Sequence, residues 1–348
     1  MSVRVVHQDQ GHRLAEAGAI GEAVNAFLTH LAARRFSAST VRGYAYDLAN
    51  FSAFLVERAL QLGEVVPGDL FDYLDWQAQS RRPVGKVVQL KAQGPAAATM
   101  NRRISAVRGL FEHLVATGVR ADNPVPAARR SSGLRTPARG LLGHLGPGRP
   151  RGGGRLVRQP QCLPESVDAD DVAAFLADLR NHRDRAMVLA MVLGGLRAGE
   201  VRGLRLADVD MGLRRLRVVG KGNRERVLPV DGAFFIECAA YLRAERPAGC
   251  ATPECFVVLR GPTRGQPLTE AGLRKIFRVH RDTSGATRVR PHRLRHTYGT
   301  ELAAAGIDLL VLRELMGHAS PETTARYVHL SPEGLAAEFA AARAVMGR

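Results

Sequence analysis

Pro291-His292-Arg293-Leu294-Arg295-His296-Thr297, then Leu315-Met316-Gly317-His318-Ala319-Ser320, then Thr324-Ala325-Arg326-Tyr327 follow one another near the C-terminal end of the chain. From Thr269 onward the apolar pattern around them is helical. On a helix, His292 and Arg295 stand at i, i+3 and share a face. His318 follows Gly317 at what reads as a helix start. The three boxes thus set arginines, histidines and one tyrosine at fixed intervals on a helical framework.

Upstream, Met187 to Leu196 is an apolar run suited to a buried helix, and it leads into Gly194-Gly195-Leu196-Arg197-Ala198-Gly199-Glu200. Leu216–Val219 and Arg226–Val230 read as two strands. Gly220-Lys221-Gly222-Asn223 between them has turn chemistry, which makes a β-hairpin with Lys221 near its tip. Val172, Phe175, Leu176 and Leu179 form another helical face, and this domain, 164–348, begins near Leu163-Pro164-Glu165-Ser166. Before it, 127–163 is rich in Arg, Gly and Pro and has no acidic residue. That composition cannot bury much apolar surface, so the segment reads as an interdomain linker, either a solvated tether or a basic strap along a polyanion. Residues 21–126 read as a bundle of three or four helices. Val24, Phe27, Leu28 and Leu31 mark one face, and Val41, Tyr44, Leu48, Phe51 and Leu55 mark a second after a Ser37–Thr40 start signal. Ile104, Val107, Leu110, Phe111 and Leu114 mark a third, which ends near Gly118. Residues 1–20 are weakly patterned and read as a weakly structured extension. The fold class is mostly α with a small antiparallel β-sheet.

The chain has 50 Lys+Arg and 33 Asp+Glu in 348 residues, a net charge of +17. That surplus favours a polyanionic partner, nucleic acid first. A membrane surface is second, but no basic amphipathic helix or long apolar run stands out. With no apolar leader in the first twenty residues, the expected location is the cytoplasm. Cys162, Cys238, Cys250 and Cys255 form no CxxC pair and read as reduced thiols. Only Lys86, Lys91, Lys221 and Lys275 are lysine, the other basic residues being arginine. A lysine kept in so arginine-rich a chain suggests a task arginine performs poorly, such as giving up a proton.

DNA strand transfer without a metal needs a nucleophile, fixed cations for the charge growing on the phosphoryl oxygens, and a proton for the departing sugar oxygen. Tyr327 is the candidate nucleophile. A free phenol has a pKa near 10 and needs neighbouring Arg and His to ionise. Arg197 and Arg295 can grip the non-bridging oxygens in bidentate fashion. His292 and His318 can donate to the same phosphate, and Lys221 can protonate the leaving 5′ oxygen. His292 and His296 have metal-ligand spacing, but position 293 is Arg rather than the Glu of HExxH, and the surrounding arginines would repel a dication. No GxxxxGK[ST] loop occurs.

In order and spacing, the Arg197-to-Glu200 box, the Lys221 hairpin, the His292-to-Thr297 box, the Leu315-to-His318 box and Tyr327 resemble the tyrosine recombinase (phage integrase) family. The helical domain before a basic linker is similar to that family's core-binding, DNA-binding domain, with an α+β catalytic domain after it. The resemblance implies that Arg197, Lys221, His292, Arg295 and His318 assemble the pocket, with Glu200 supporting them. It further implies that Tyr327 forms a 3′-phosphotyrosyl link to double-stranded DNA without metal, ATP or other cofactor. The expected activity is site-specific strand exchange (integration or excision), with the two domains clamping the duplex, and the chain reads equally as a transposon recombinase, a phage integrase or a chromosome-dimer resolvase. A homo-tetramer on paired sites, with accessory DNA-bending or recombinase partners, is the expected assembly. Leu335, Phe339 and Val345 in the C-terminal helix would dock either on a neighbouring protomer or on their own domain. Rival readings are a relaxing topoisomerase of the same chemistry, a non-catalytic DNA-binding protein, and a membrane-surface protein.

Overall fold

A computed structural model describes residues 3–8, 11–15, 18–79, 94–126, 156–158, 165–220, 224–318, 324, 327, 339–340, 343–344 and 346. The chain divides into two compact units, Met1–Gln161 and Cys162–Arg348. Among the described residues, no helix is long and apolar enough to cross a membrane.

The first unit holds strands β1 (Arg4–Gln8) and β2 (Gly11–Ala15) and helices α1 (Gly18–Ala33), α2 (Ala38–Glu57), α3 (Pro67–Gln79) and α4 (Ala97–Ala116). The apolar faces legible in the sequence meet at its centre, where Phe51 packs edge-on against Tyr73 and Phe111 at centroid distances of 5.0 and 6.1 Å. The Ser37 hydroxyl accepts the Thr40 N–H at 3.2 Å and caps α2. Asp47, buried on α2, is paired with Arg102 of α4.

Residues 1–20 depart from expectation. β1 and β2 form an antiparallel hairpin with Val5 opposite Leu14, and α1 already begins at Gly18. A lone two-stranded hairpin is marginal in water. This one is held by tertiary contacts: Leu14 is buried, and its N–H and C=O are both bonded to the Asn25 side-chain amide at 2.8 and 3.0 Å. Most of the expected linker lies outside the described residues. At its described part, Leu156 and Val157 pack on the first unit, and the Val157 backbone exchanges two hydrogen bonds with the Asn101 amide, at 2.8 and 3.0 Å.

The second unit is built around α6 (His182–Val192), whose residues from Ala186 to Val192 are all buried. It is buried on every side, so it shows no apolar stripe in sequence. The Glu245 carboxylate accepts the N–H groups of His182 and Arg183 at 2.8 and 3.0 Å and satisfies the start of this helix. α5 (Ala169–Asp178), α8 (Gly232–Ala244), α9 (Glu270–Ser284), α10 (Pro291–Ala304) and α11 (Leu309–Met316) complete the helical part, with α7 (Ala198–Gly203) a short turn after α6. A three-stranded antiparallel sheet runs in the order β3 (Val209–Asp210), β4 (Arg215–Val219), β5 (Glu225–Pro229). Lys221, which falls between β4 and β5 in sequence, lies outside the described residues. So do Leu335 and Val345, while Phe339 is described and exposed.

The step from α6 to Arg197 depends on Gly195. Its φ is +62°, and a Cβ there would overlap the Tyr298 ring on α10. Gly195→Ala is expected to cost about 1–2 kcal/mol for the left-handed backbone and a further ~1–3 kcal/mol for the clash. The urea midpoint of the variant should fall accordingly with an unchanged m value.

Candidate active site

Glu200, on the first turn of α7, organises the arginines around it. Its Oε1 accepts from Arg197 Nη1 at 2.6 Å and Arg226 Nη1 at 3.0 Å. Its Oε2 accepts from Arg226 Nη2 at 2.9 Å and from the Arg197 backbone N–H at 2.8 Å. Arg295 Nη1 stands 3.9 Å from the same oxygen. Burial opposes ionisation of Glu200, but the hydrogen bonds from Arg226 and the Arg197 backbone outweigh it and hold the carboxyl below its ordinary range.

The end of α11 holds the same three guanidiniums. Arg226 Nε donates to the Leu315 carbonyl at 3.0 Å, Arg295 Nη2 donates to that of Met316, and Arg197 Nη2 donates to that of Gly317 at 3.0 Å. These carbonyls are among those a helix leaves unpaired at its negative end, so cations suit them. Arg295 also donates to the Gly195 carbonyl and is buried. Burial first, and Arg197 next, push its pKa down to about 10, which leaves it charged at neutral pH. Among the described residues, Arg295 thus donates to two carbonyls from both terminal nitrogens of its guanidinium, which orients it.

Gly317 ends α11 in a left-handed conformation with φ +58°, and the His318 N–H bonds back to the Arg313 carbonyl at 3.1 Å. His318 therefore follows a helix end, not the helix start its sequence context suggests. Glycine is required there twice over, because a Cβ on Gly317 would fall 2.8 Å from Arg226 Nη1. The His318 ring lies nearly parallel to Tyr327, 6.1 Å between centroids and 9° between planes, and its Nδ1 is 3.0 Å from the Thr324 hydroxyl.

Tyr327 is only 4% exposed and packs with Tyr298, Leu312 and Met316. Gly299 on α10 makes room for it, since a Cβ there would lie 2.9 Å from the Tyr327 ring. The phenol oxygen is 2.6 Å from His296 Nδ1, and His296 Nε2 is 2.9 Å from His292 Nε2. The structure thus brings Arg197, Glu200, His292, Arg295, His318 and Tyr327 into one connected site. Two further members have no role in the site on sequence alone, where His296 reads as a residue that packs or caps internally close to the pocket. His296 had a signal in its i, i+4 spacing from His292. Arg226 had a signal in facing inward on β5 two residues before buried Leu228.

Burial and the arginines together disfavour charge on the histidines. Burial, then Arg295 and Arg197, lower the pKa of His292, whose side chain still reaches solvent. Burial and then the same arginines push His318 down to about 4. At neutral pH both are neutral imidazoles, able to accept a proton. The unfolded chain protonates His318 below about pH 6.5, whereas the folded chain does so only near 4. Stability should therefore fall as pH is lowered through that window. Melting temperatures from pH 7 to 4 should show the decline, with a shallower slope in His318→Asn.

Residues 165–333 match the phage integrase family, and 24–118 match the phage integrase N-terminal SAM-like domain. The tyrosine recombinase XerC of Mycobacterium sp. (strain JLS) is 32% identical over 315 residues, covering 88% of this chain and 94% of the relative. The chain belongs to the phage integrase family of tyrosine recombinases. XerC of Chromohalobacter salexigens is 31% identical, with 90% of this chain and 93% of that relative covered. Among solved structures, the integrase of transposon Tn1549 in complex with transposon right end DNA shares the fold. Its TM-score is 0.66 at 15% identity, covering 92% of this chain and 99% of that one. A tyrosine recombinase of this kind is a site-specific recombination enzyme, mostly helical with small antiparallel sheets.

Proposed function

We propose that this recombinase exchanges DNA strands through a 3′-phosphotyrosyl intermediate. Tyr327 attacks the scissile phosphorus, and the freed 5′ hydroxyl later attacks the corresponding link in a partner duplex. Arg197 and Arg295 hold the non-bridging oxygens and meet the charge of the transition state, and His292 and His318 complete the pocket. Lys221 protonates the leaving 5′ oxygen. Glu200 and Arg226 hold the guanidiniums in register. Each phosphodiester is exchanged for a phosphotyrosine and back, so the bond energy is retained and no ATP is needed. The fixed cations meet the charge that a metal would otherwise meet. The working assembly is a homo-tetramer on paired sites in cytoplasmic, nucleoid-associated DNA, helped by accessory DNA-bending partners, and the natural setting is a mobile element of transposon or phage type.

The observation that carries this reading is the placement of the Tyr327 phenol among histidines beside a three-arginine cluster built on one buried carboxylate. The test starts from fragments of the source genome that become SDS-stably linked to the protein. Two copies of a captured sequence are placed on a supercoiled plasmid. Deletion or inversion products are expected. Relaxation without rearrangement would instead identify a topoisomerase.

A further inference from the structure

His292 and His296 stand one turn apart on α10, so their rings meet at a centroid distance of 4.2 Å. His296 spans the gap from there to the phenol, with Nδ1 at 2.6 Å from Tyr327 Oη and Nε2 at 2.9 Å from His292 Nε2. The two contacts use opposite nitrogens of one imidazole. If the phenol donates to Nδ1, the proton of neutral His296 is on Nε2 and is donated to His292 Nε2. Tyr327–His296–His292 is then a continuous hydrogen-bonded chain in which each donor faces an acceptor.

We propose that His296 is a catalytic residue that takes the phenolic proton of Tyr327 and relays it to His292. As Tyr327 Oη bonds to phosphorus, its proton moves to His296 Nδ1, and the Nε2 proton of His296 moves to His292 Nε2. The bond from phosphorus to the 5′ oxygen breaks, and that oxygen takes a proton from Lys221. Ligation runs the same transfers backward. The relay has a physical advantage over a single histidine. An imidazolium left on His296 would sit half-buried, whereas His292 is exposed. Burial and the arginine charges nonetheless lower the pKa of His292. His292 lies in the first turn of α10, where the helix dipole disfavours a cation. The proton is therefore not trapped there and is returned on ligation.

This inference rests on the phosphotyrosyl reading, and its test separates the two. The full-length protein is mixed with sheared source-genome DNA, and the initial rate of SDS-stable adduct formation is followed from pH 6 to 10. His296→Asn keeps an amide near the position of Nδ1 and can still hold the phenol, but it cannot relay a proton. Its rate at pH 7 should fall by about 10²-fold and climb with pH toward that of the parent as the phenol ionises unaided. Duplex binding should be retained. A rate within about threefold of the parent, or a lower rate with a parallel pH profile, would overturn the relay and leave His296 a positioning residue. A second measurement needs no variant and so survives a misfolded one. Three protons move in this step, one from the phenol, one between the histidines and one from Lys221, so the parent's rate in mixtures of H2O and D2O should follow a cubic dependence on deuterium fraction. A linear or quadratic dependence would overturn the relay while leaving the phosphotyrosyl reading intact. A parent that forms no adduct would overturn both.

Discussion

Tyr327→Phe is expected to abolish formation of SDS-stable protein–DNA adducts and to leave duplex binding within about twofold of the parent, since the ring, only 4% exposed, keeps its shape and no charge changes. The phenol oxygen is the only atom removed. The ring stays packed against Tyr298, Leu312 and Met316, and the arginine cluster is untouched. Losing the nucleophile removes covalent catalysis altogether rather than slowing it, so the effect should exceed that of any other single substitution. The comparison is an SDS gel of labelled DNA beside a native gel shift. Residual adduct in the variant would assign the nucleophile elsewhere.

Arg226→Ala has the second largest effect, on stability and activity together. It removes both bonds of a fork onto Glu200 and the bond to the Leu315 carbonyl, all in a region where Arg226 and Glu200 side chains are 10% and 5% exposed. Breaking a buried pair costs about 3–5 kcal/mol, and Glu200 keeps Arg197, so the low end is expected. With the carboxylate less constrained, Arg197 loses its fixed orientation. The adduct rate should fall by about 10²-fold, the scale of losing one oriented donor to a developing oxyanion. Arg226→Lys keeps the charge but not the fork and should recover little of either. Chemical denaturation and adduct kinetics at a temperature where the variant is folded separate the two effects. An Arg226→Ala protein of parental stability would show that Glu200 is held by Arg197 alone.

The boxes that meet at the candidate site were legible because each has a chemical and a spatial signature: a glycine pair before Arg197, an i, i+3 His–Arg pair, a Gly–His step, a tyrosine. The two-unit organisation was legible from the shift in composition between helical periodicity and the Arg/Gly/Pro stretch. What was not legible depends on contacts between distant segments. The β1–β2 hairpin has short strands, and it is held by one side-chain amide on α1. α8 has an apolar face in Phe234, Phe235, Cys238 and Tyr241, but the exposed Ile236 blurs its period. His318 reads as a helix start because Gly-His is local information, whereas the left-handed Gly317 that closes α11 is imposed by the carbonyls it presents to three arginines. His296 and Arg226 escaped because each acts on another side chain, Tyr327 and Glu200 respectively, and neither pairing can be read from spacing.

The most direct test of the account is the chemistry of the trapped link. Adducts formed on fragmented source-genome DNA are stopped with SDS and digested with protease and nuclease. The modified peptide is then identified by mass spectrometry and the DNA ends by labelling. The account predicts a nucleotide attached through its 3′ phosphate to Tyr327, with a free hydroxyl on the 5′ end of the cut strand. A link to another residue, or attachment through a 5′ phosphate, would contradict it.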